Sequence, residues 1–151
     1  MTDEGLIQPP QRLRELAQWQ LGKVAALGAR FTASRMPAGG RSDFAVLATL
    51  DEYGPLSQAD LGRRLGLDRN DISVIITRLS SAGHVDRQAD PTDGRRNTVT
   101  TTAKGLRHFA ELQGHADAVT DELLAALDAD ERARLTALLT KVLDGHAPQP
   151  A

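Results

Sequence analysis

The sequence predicts a mainly α-helical fold carrying one small β-hairpin. Three observations predict it. Apolar residues recur at steps of three and four through most of the 151 residues, the period of helices that bury one side. Aromatics make up only 3% of the chain, namely Trp19, Phe31, Phe44, Tyr53 and Phe109. A core built mainly from Leu, Val, Ile and Ala favours helices over sheets. The β-branched run Asn97 to Thr102 faces a second extended segment across an Asp-Gly turn, the pattern of a hairpin.

Each element follows from local signals. Residues 1–10 end in Pro9-Pro10 and read as a loose arm. One long helix is expected between Arg12 and Ser34, with Leu13, Leu16, Ala17, Val24, Leu27 and Phe31 on one stripe. Trp19 falls outside that stripe, so this helix needs a second contact surface. Met36-Pro37-Ala38-Gly39-Gly40 breaks the chain. A second helix, Ser42 to Tyr53, has apolar residues all round and is expected to be sandwiched in the core. Ser57 with Asp60 has capping-box spacing and opens a short helix ending at Gly66; Asp68 caps the next, Arg69 to Ala82, which stops at Gly83. Segments His84 to Gln88 and Asn97 to Thr102 form the hairpin around Asp90-Pro91-Thr92-Asp93-Gly94-Arg95-Arg96. A long helix follows from Ala103 to Leu127. Asp128 with Glu131 caps the last helix, whose inner face is Leu135, Leu138, Leu139, Val142 and Leu143. Residues 144–151 read as frayed.

Composition narrows the function. With 40% hydrophobic and 25% charged residues the chain reads as one soluble domain. It contains no Cys, which excludes disulfides, thiolate metal sites, Cys nucleophiles and thiol-based sensing. The acidic start Met1-Thr2-Asp3-Glu4-Gly5 has no apolar run behind it, and no stretch approaches the ~18 apolar residues of a membrane span. The expectation is a cytoplasmic protein without a membrane partner. There is no P-loop, no Gly-x-Ser-x-Gly and no His-Glu-x-x-His, so neither an enzyme nor a cofactor is expected. Charge is uneven: residues 1–56 hold six basic and six acidic side chains, residues 57–107 nine and six, residues 108–151 three and eight. The basic middle suits an acidic polymer if its arginines converge on one face.

A short helix, a tight turn, a second helix and a basic hairpin follow the order of a winged helix-turn-helix. The face of the second helix opposite Ile72, Ile75, Ile76 and Leu79 decides the reading. It holds Asn70, Ser73, Val74, Thr77 and Ser81, with no charge at all. A solvated helix would usually show Glu, Lys or Gln there. Short hydrogen-bonding groups and one small apolar group suit a major-groove floor: Asn pairs bidentately with adenine, Ser and Thr reach several base edges, and Val meets a thymine methyl. Arg63, Arg64, Arg69 and Arg78 flank that strip as candidate phosphate contacts. At the hairpin tip Arg95, with Arg96 beside it, suits a narrow minor groove, and Asp93 would hold its guanidinium.

The run Leu67-Asp68-Arg69-Asn70-Asp71-Ile72-Ser73, with Thr77-Arg78-Leu79, Gly83-His84-Val85 and Asp90-Pro91-Thr92-Asp93-Gly94-Arg95 through Thr102 to Gly105, resembles the signature of MarR-type transcriptional regulators. Thr101 departs from it, where the family usually has Leu. The resemblance implies a single domain over residues 1–151, with a DNA-binding lobe at 41–105 and dimerisation helices at 11–35 and 106–145. It also implies a homodimer on a pseudo-palindromic operator of double-stranded DNA, most often a repressor, and release by a small aromatic or anionic effector. Trp19, Arg41 and Phe44 are ligand-pocket candidates by placement; core or interface packing is the other role open to the two aromatics. His108, Glu111 and His115 share one helix face, but a tetrahedral metal site needs a further donor, so no metal is assigned and a metal-responsive regulator stays an alternative. His84 and His146 are treated as structural. A winged-helix module used for protein contacts alone is the other alternative.

Overall fold

The computed structural model describes residues 8–89, 92 and 97–147. Its elements are α1 (Gln11–Arg14), α2 (Ala17–Arg35), α3 (Gly40–Tyr53), β1 (Leu56–Ser57), α4 (Gln58–Leu65), α5 (Arg69–Ser81), β2 (Val85–Ala89), β3 (Asn97–Thr101), α6 (Ala103–Leu123) and α7 (Ala129–Asp144). The mainly helical class with a small sheet is as expected. Three details differ from the sequence reading. The first helix is interrupted, because Leu16 is extended and caps α2 from outside while the Gln20 side chain takes up the carbonyl of Arg14. The hairpin has a third strand, since β1 pairs antiparallel with β3 at Leu56–Val99 and Ser57–Thr98, giving the order β1-β3-β2. The long helix after the hairpin stops at Leu123, four residues early, where Arg132 of α7 donates to the carbonyls of Leu124 and Leu127.

The core lies in the central lobe. Val46, Leu47 and Leu50 of α3, Leu61 of α4, Ile72, Ile75, Ile76 and Leu79 of α5, Val85, Val99 and Leu112 of α6 are all buried and form one cluster. Phe44 packs against it and against Phe109, ring centroids 5.4 Å apart. Gly105 lets α6 start flush against the turn before β2, because a Cβ there would sit 1.9 Å from the His84 carbonyl oxygen. Thr101, where the sequence departs from the family pattern, has a buried hydroxyl without a hydrogen-bond partner among the described residues.

The ends of the chain are built differently. Helix α2 packs on α6, close enough that a Cβ on Gly28 would touch Leu123, and Arg35 Nε donates to Glu122 at 2.8 Å. Neither α1, α2 nor α7 contains a buried residue. Leu16, Leu21, Val24 and Leu27, with Leu138, Leu139, Val142 and Leu143, are all exposed in the protomer. The expected inner face of the last helix is therefore apolar but uncovered within one chain. Trp19 is half-buried with the Lys23 ammonium 5.2 Å over its ring.

Candidate nucleic-acid interface

The helix-turn-helix is set by caps and one left-handed glycine. Ser57 Oγ accepts from the Asp60 amide at 3.1 Å and donates to the Asp60 carboxylate at 2.6 Å, starting α4. Gly66, at φ 64°, closes it in a conformation that a side chain would disfavour. Asp68 Oδ1 then accepts from the amides of Asn70 and Asp71, each at 2.8 Å, and starts α5. Burial of Ile72, Ile75, Ile76 and Leu79 fixes the rotation of α5. Asn70, Val74, Thr77 and Ser81 are left exposed, Val74 at 64%, with Ser73 partly so. The uncharged strip expected from the sequence is on the surface.

The arginines around it have different surroundings. Arg69 is exposed at the start of α5. With Arg63, Ser57, Gln58 and Asn97 it lines an open cleft of ≈ 630 Å³ between α4, α5 and β3. Arg63 is paired with Asp60 one turn back but remains 68% exposed. Arg64 lies over the Tyr53 ring, 4.0 Å from its centroid, which holds its guanidinium at the edge of α4. Arg78 is 40% exposed and also ion-paired. It pairs with Asp43 of α3, donates to Ser42 Oγ at 3.0 Å and reaches the Gly39 carbonyl at 3.4 Å. The reason is that Asp43 is buried and needs a charge partner. Arg78 thereby ties α5 to the start of α3. Asp93, Arg95 and Arg96 lie outside the described residues.

A cavity of ≈ 880 Å³ opens between α2, α3 and the α4–α5 turn, bordered by Thr32, Met36, Gly40, Arg41, Ser42 and Leu65 among others. Of the three ligand-pocket candidates only Arg41 lines it. Phe44 instead faces the core and Phe109, and Trp19 is not among its lining residues. The His108, Glu111, His115 row does not converge. His108 turns inward, stacking on His84 at 4.1 Å with its Nε2 3.6 Å from Asp43, Glu111 is 4.0 Å from its other nitrogen, and His115 is exposed. No group of three His, Asp or Glu side chains among the described residues is arranged to hold a metal. No helix among them is long and apolar enough to cross a membrane.

These elements have known counterparts. A model of the MarR family matches residues 40–96. The structure of the PcaV transcriptional regulator from Streptomyces coelicolor in complex with its natural ligand superposes with a TM-score of 0.74 at 28% identity, covering 91% of this chain and 98% of that one. Over residues 40–96 the chain matches the MarR family, and its fold is similar to that of MarR-type regulators. Among curated relatives, the HTH-type transcriptional repressor NicR of Pseudomonas putida is 31% identical over 101 residues, 67% of this chain and 64% of that protein. The HTH-type transcriptional regulator YcgE of Bacillus subtilis is 33% identical over 63 residues, 42% of this chain and 41% of its own length. The matched part is thus less than two thirds of either relative. These proteins are described as transcriptional regulators, the class the sequence suggests in place of an enzyme.

The residues that sequence reasoning missed are those whose partners are remote. Asp43 meets Arg78 across 35 positions. His84, read as structural and alone, stacks on His108. Arg87, on β2, donates from Nη2 to Thr77 Oγ1 at 2.9 Å. The one signal available for Arg87 was strand alternation, which puts it on the same side as the apolar Val85.

Proposed function

We propose that this chain is a sequence-specific regulator of transcription, a homodimer that reads a pseudo-palindromic operator and releases it on binding a small ligand. The observation that carries the reading is the exposed, uncharged strip of α5 bordered by arginines. Asn70, Ser73, Val74 and Thr77 address base edges, and Arg63, Arg64 and Arg69 address phosphates. Arg78, 40% exposed while paired with Asp43, adds a further phosphate contact. Asp93, Arg95 and Arg96 serve as a minor-groove wing. The 41–105 lobe is the reading head, and helices within 11–35 and 106–145 supply the partner-facing apolar surface. Those exposed leucines and valines favour a second copy, and two-fold symmetry would set the reading helices about one DNA turn, roughly 34 Å, apart.

The cavity beside Arg41 is the effector site in this reading: a single cation over an otherwise small-residue and aliphatic lining suits a compact anion. Repression is the expected sense of control, as in the name of NicR. Binding of a fluorescent duplex from the gene's own upstream region, at two salt concentrations, tests the proposal. Affinity should fall steeply as salt rises, because phosphate contacts release counterions. No DNA binding at low salt would favour a protein-contact module instead.

A further inference from the structure

A threonine hydroxyl carries one proton and two lone pairs. Inside a helix its common outlet is the carbonyl four residues back. Thr32, Thr49, Thr120, Thr136 and Thr140 all use it, donating to Gly28, Ala45, Ala116, Arg132 and Thr136 at 2.8 to 3.1 Å. Thr77 does not. Among the described residues its hydroxyl donates to nothing and accepts from Arg87 Nη2 at 2.9 Å.

The fold places Arg87 there. Along β2, Val85 and Arg87 share a face, and Arg87 stands opposite the buried Val99 of β3. Asp86 and Gln88 take the other face. The arginine therefore leaves the strand on the side where α5 packs, just past the end of the core, and reaches across to the exposed arc of the helix.

We propose that Arg87 is a positioning residue that makes Thr77 an outward hydrogen-bond donor, so that residue 77 selects a base with an acceptor on its major-groove edge. This rests on the DNA-binding reading above. With one lone pair filled by a guanidinium, the hydroxyl keeps its proton for the groove, and the adjacent cation repels an incoming amino group. Guanine offers O6 and N7, thymine O4 and adenine N7 as acceptors, whereas cytosine offers only its N4 donor. Cytosine is the base rejected at this contact.

The experiment begins by selecting a binding duplex from a randomised pool with the wild-type chain. Wild type, Thr77→Ser, Thr77→Val, Arg87→Lys, Arg87→Met and the Thr77→Val/Arg87→Met pair are then titrated, at two salt concentrations, against that duplex and its single-base-pair replacements. Both side chains are exposed, and matching circular dichroism spectra establish that the variants fold. Thr77→Val and Arg87→Met should each erase about tenfold of discrimination at the same base pair. The double variant should lose no more there than Thr77→Val alone, Thr77→Ser should keep the preference, and Arg87→Lys should recover part of it. The inference is overturned if Arg87→Met weakens every duplex equally with a shallower salt dependence, which would make Arg87 a phosphate contact only. It is overturned equally if Thr77→Val leaves all base preferences intact. A wild-type chain that enriches no duplex would overturn the DNA-binding reading and this inference with it.

Discussion

At the scale of single residues, two side chains permit sharp tests. Asn70 is exposed one residue into α5 and carries the bidentate chemistry that suits adenine. Asn70→Ala should reduce discrimination at one base position by about 1 to 3 kcal/mol, read from titrations against duplexes varied at that position; an equal loss on all duplexes would restrict Asn70 to the DNA backbone. His84 is the second. Burial lowers its pKa from the ordinary 6.5, aided by His108 and then Lys104, while Asp43 and Glu111 act in the opposite sense. A histidine that is harder to protonate folded than unfolded leaves stability intact above its ordinary value, and takes stability away as the pH falls below it, because the unfolded chain binds the proton first. Urea midpoints should therefore drop between about pH 7.5 and 5.5. His84→Asn should flatten that slope, and an unchanged slope would assign the acid sensitivity to other groups.

At the scale of elements, the caps are predictive because they are local. Asp68 satisfies two amides at the start of α5, so Asp68→Ala should cost about 1 kcal/mol of folding stability, measured by urea denaturation. What was legible in the sequence follows the same logic. The rotation of α5 could be read from Ile72, Ile75, Ile76 and Leu79 because four apolar residues at helical spacing leave only one face to bury. The starts of α4, α5 and α7 could be read because Ser57, Asp68 and Asp128 act within three residues of themselves. The interruption at Leu16 had no Gly or Pro to announce it. Strand β1 is two residues long, too short for alternation to show. The tie from Arg78 to α3 was not legible because nothing near it in sequence revealed that Asp43 would be buried alongside. The packing of Phe44 was not legible for the same reason: its partner, Phe109, lies on α6.

At the scale of the whole molecule, the central lobe closes its own core while α2 and α7 leave apolar rows uncovered. Replacing Leu138 and Val142 together by lysine should leave the lobe folded and give a monomer by sedimentation. Operator affinity should fall by at least tenfold, since a lone reading helix forgoes half the contacts; a variant that stays dimeric would move the interface elsewhere. If those rows pair two copies, as proposed, they also couple folding to abundance. Unfolding a protomer that is half of a pair must first part the pair, so the melting temperature should climb as the sample is concentrated. In a cell, the copy number of the regulator would then govern its resistance to heat as well as the fraction of operators it occupies.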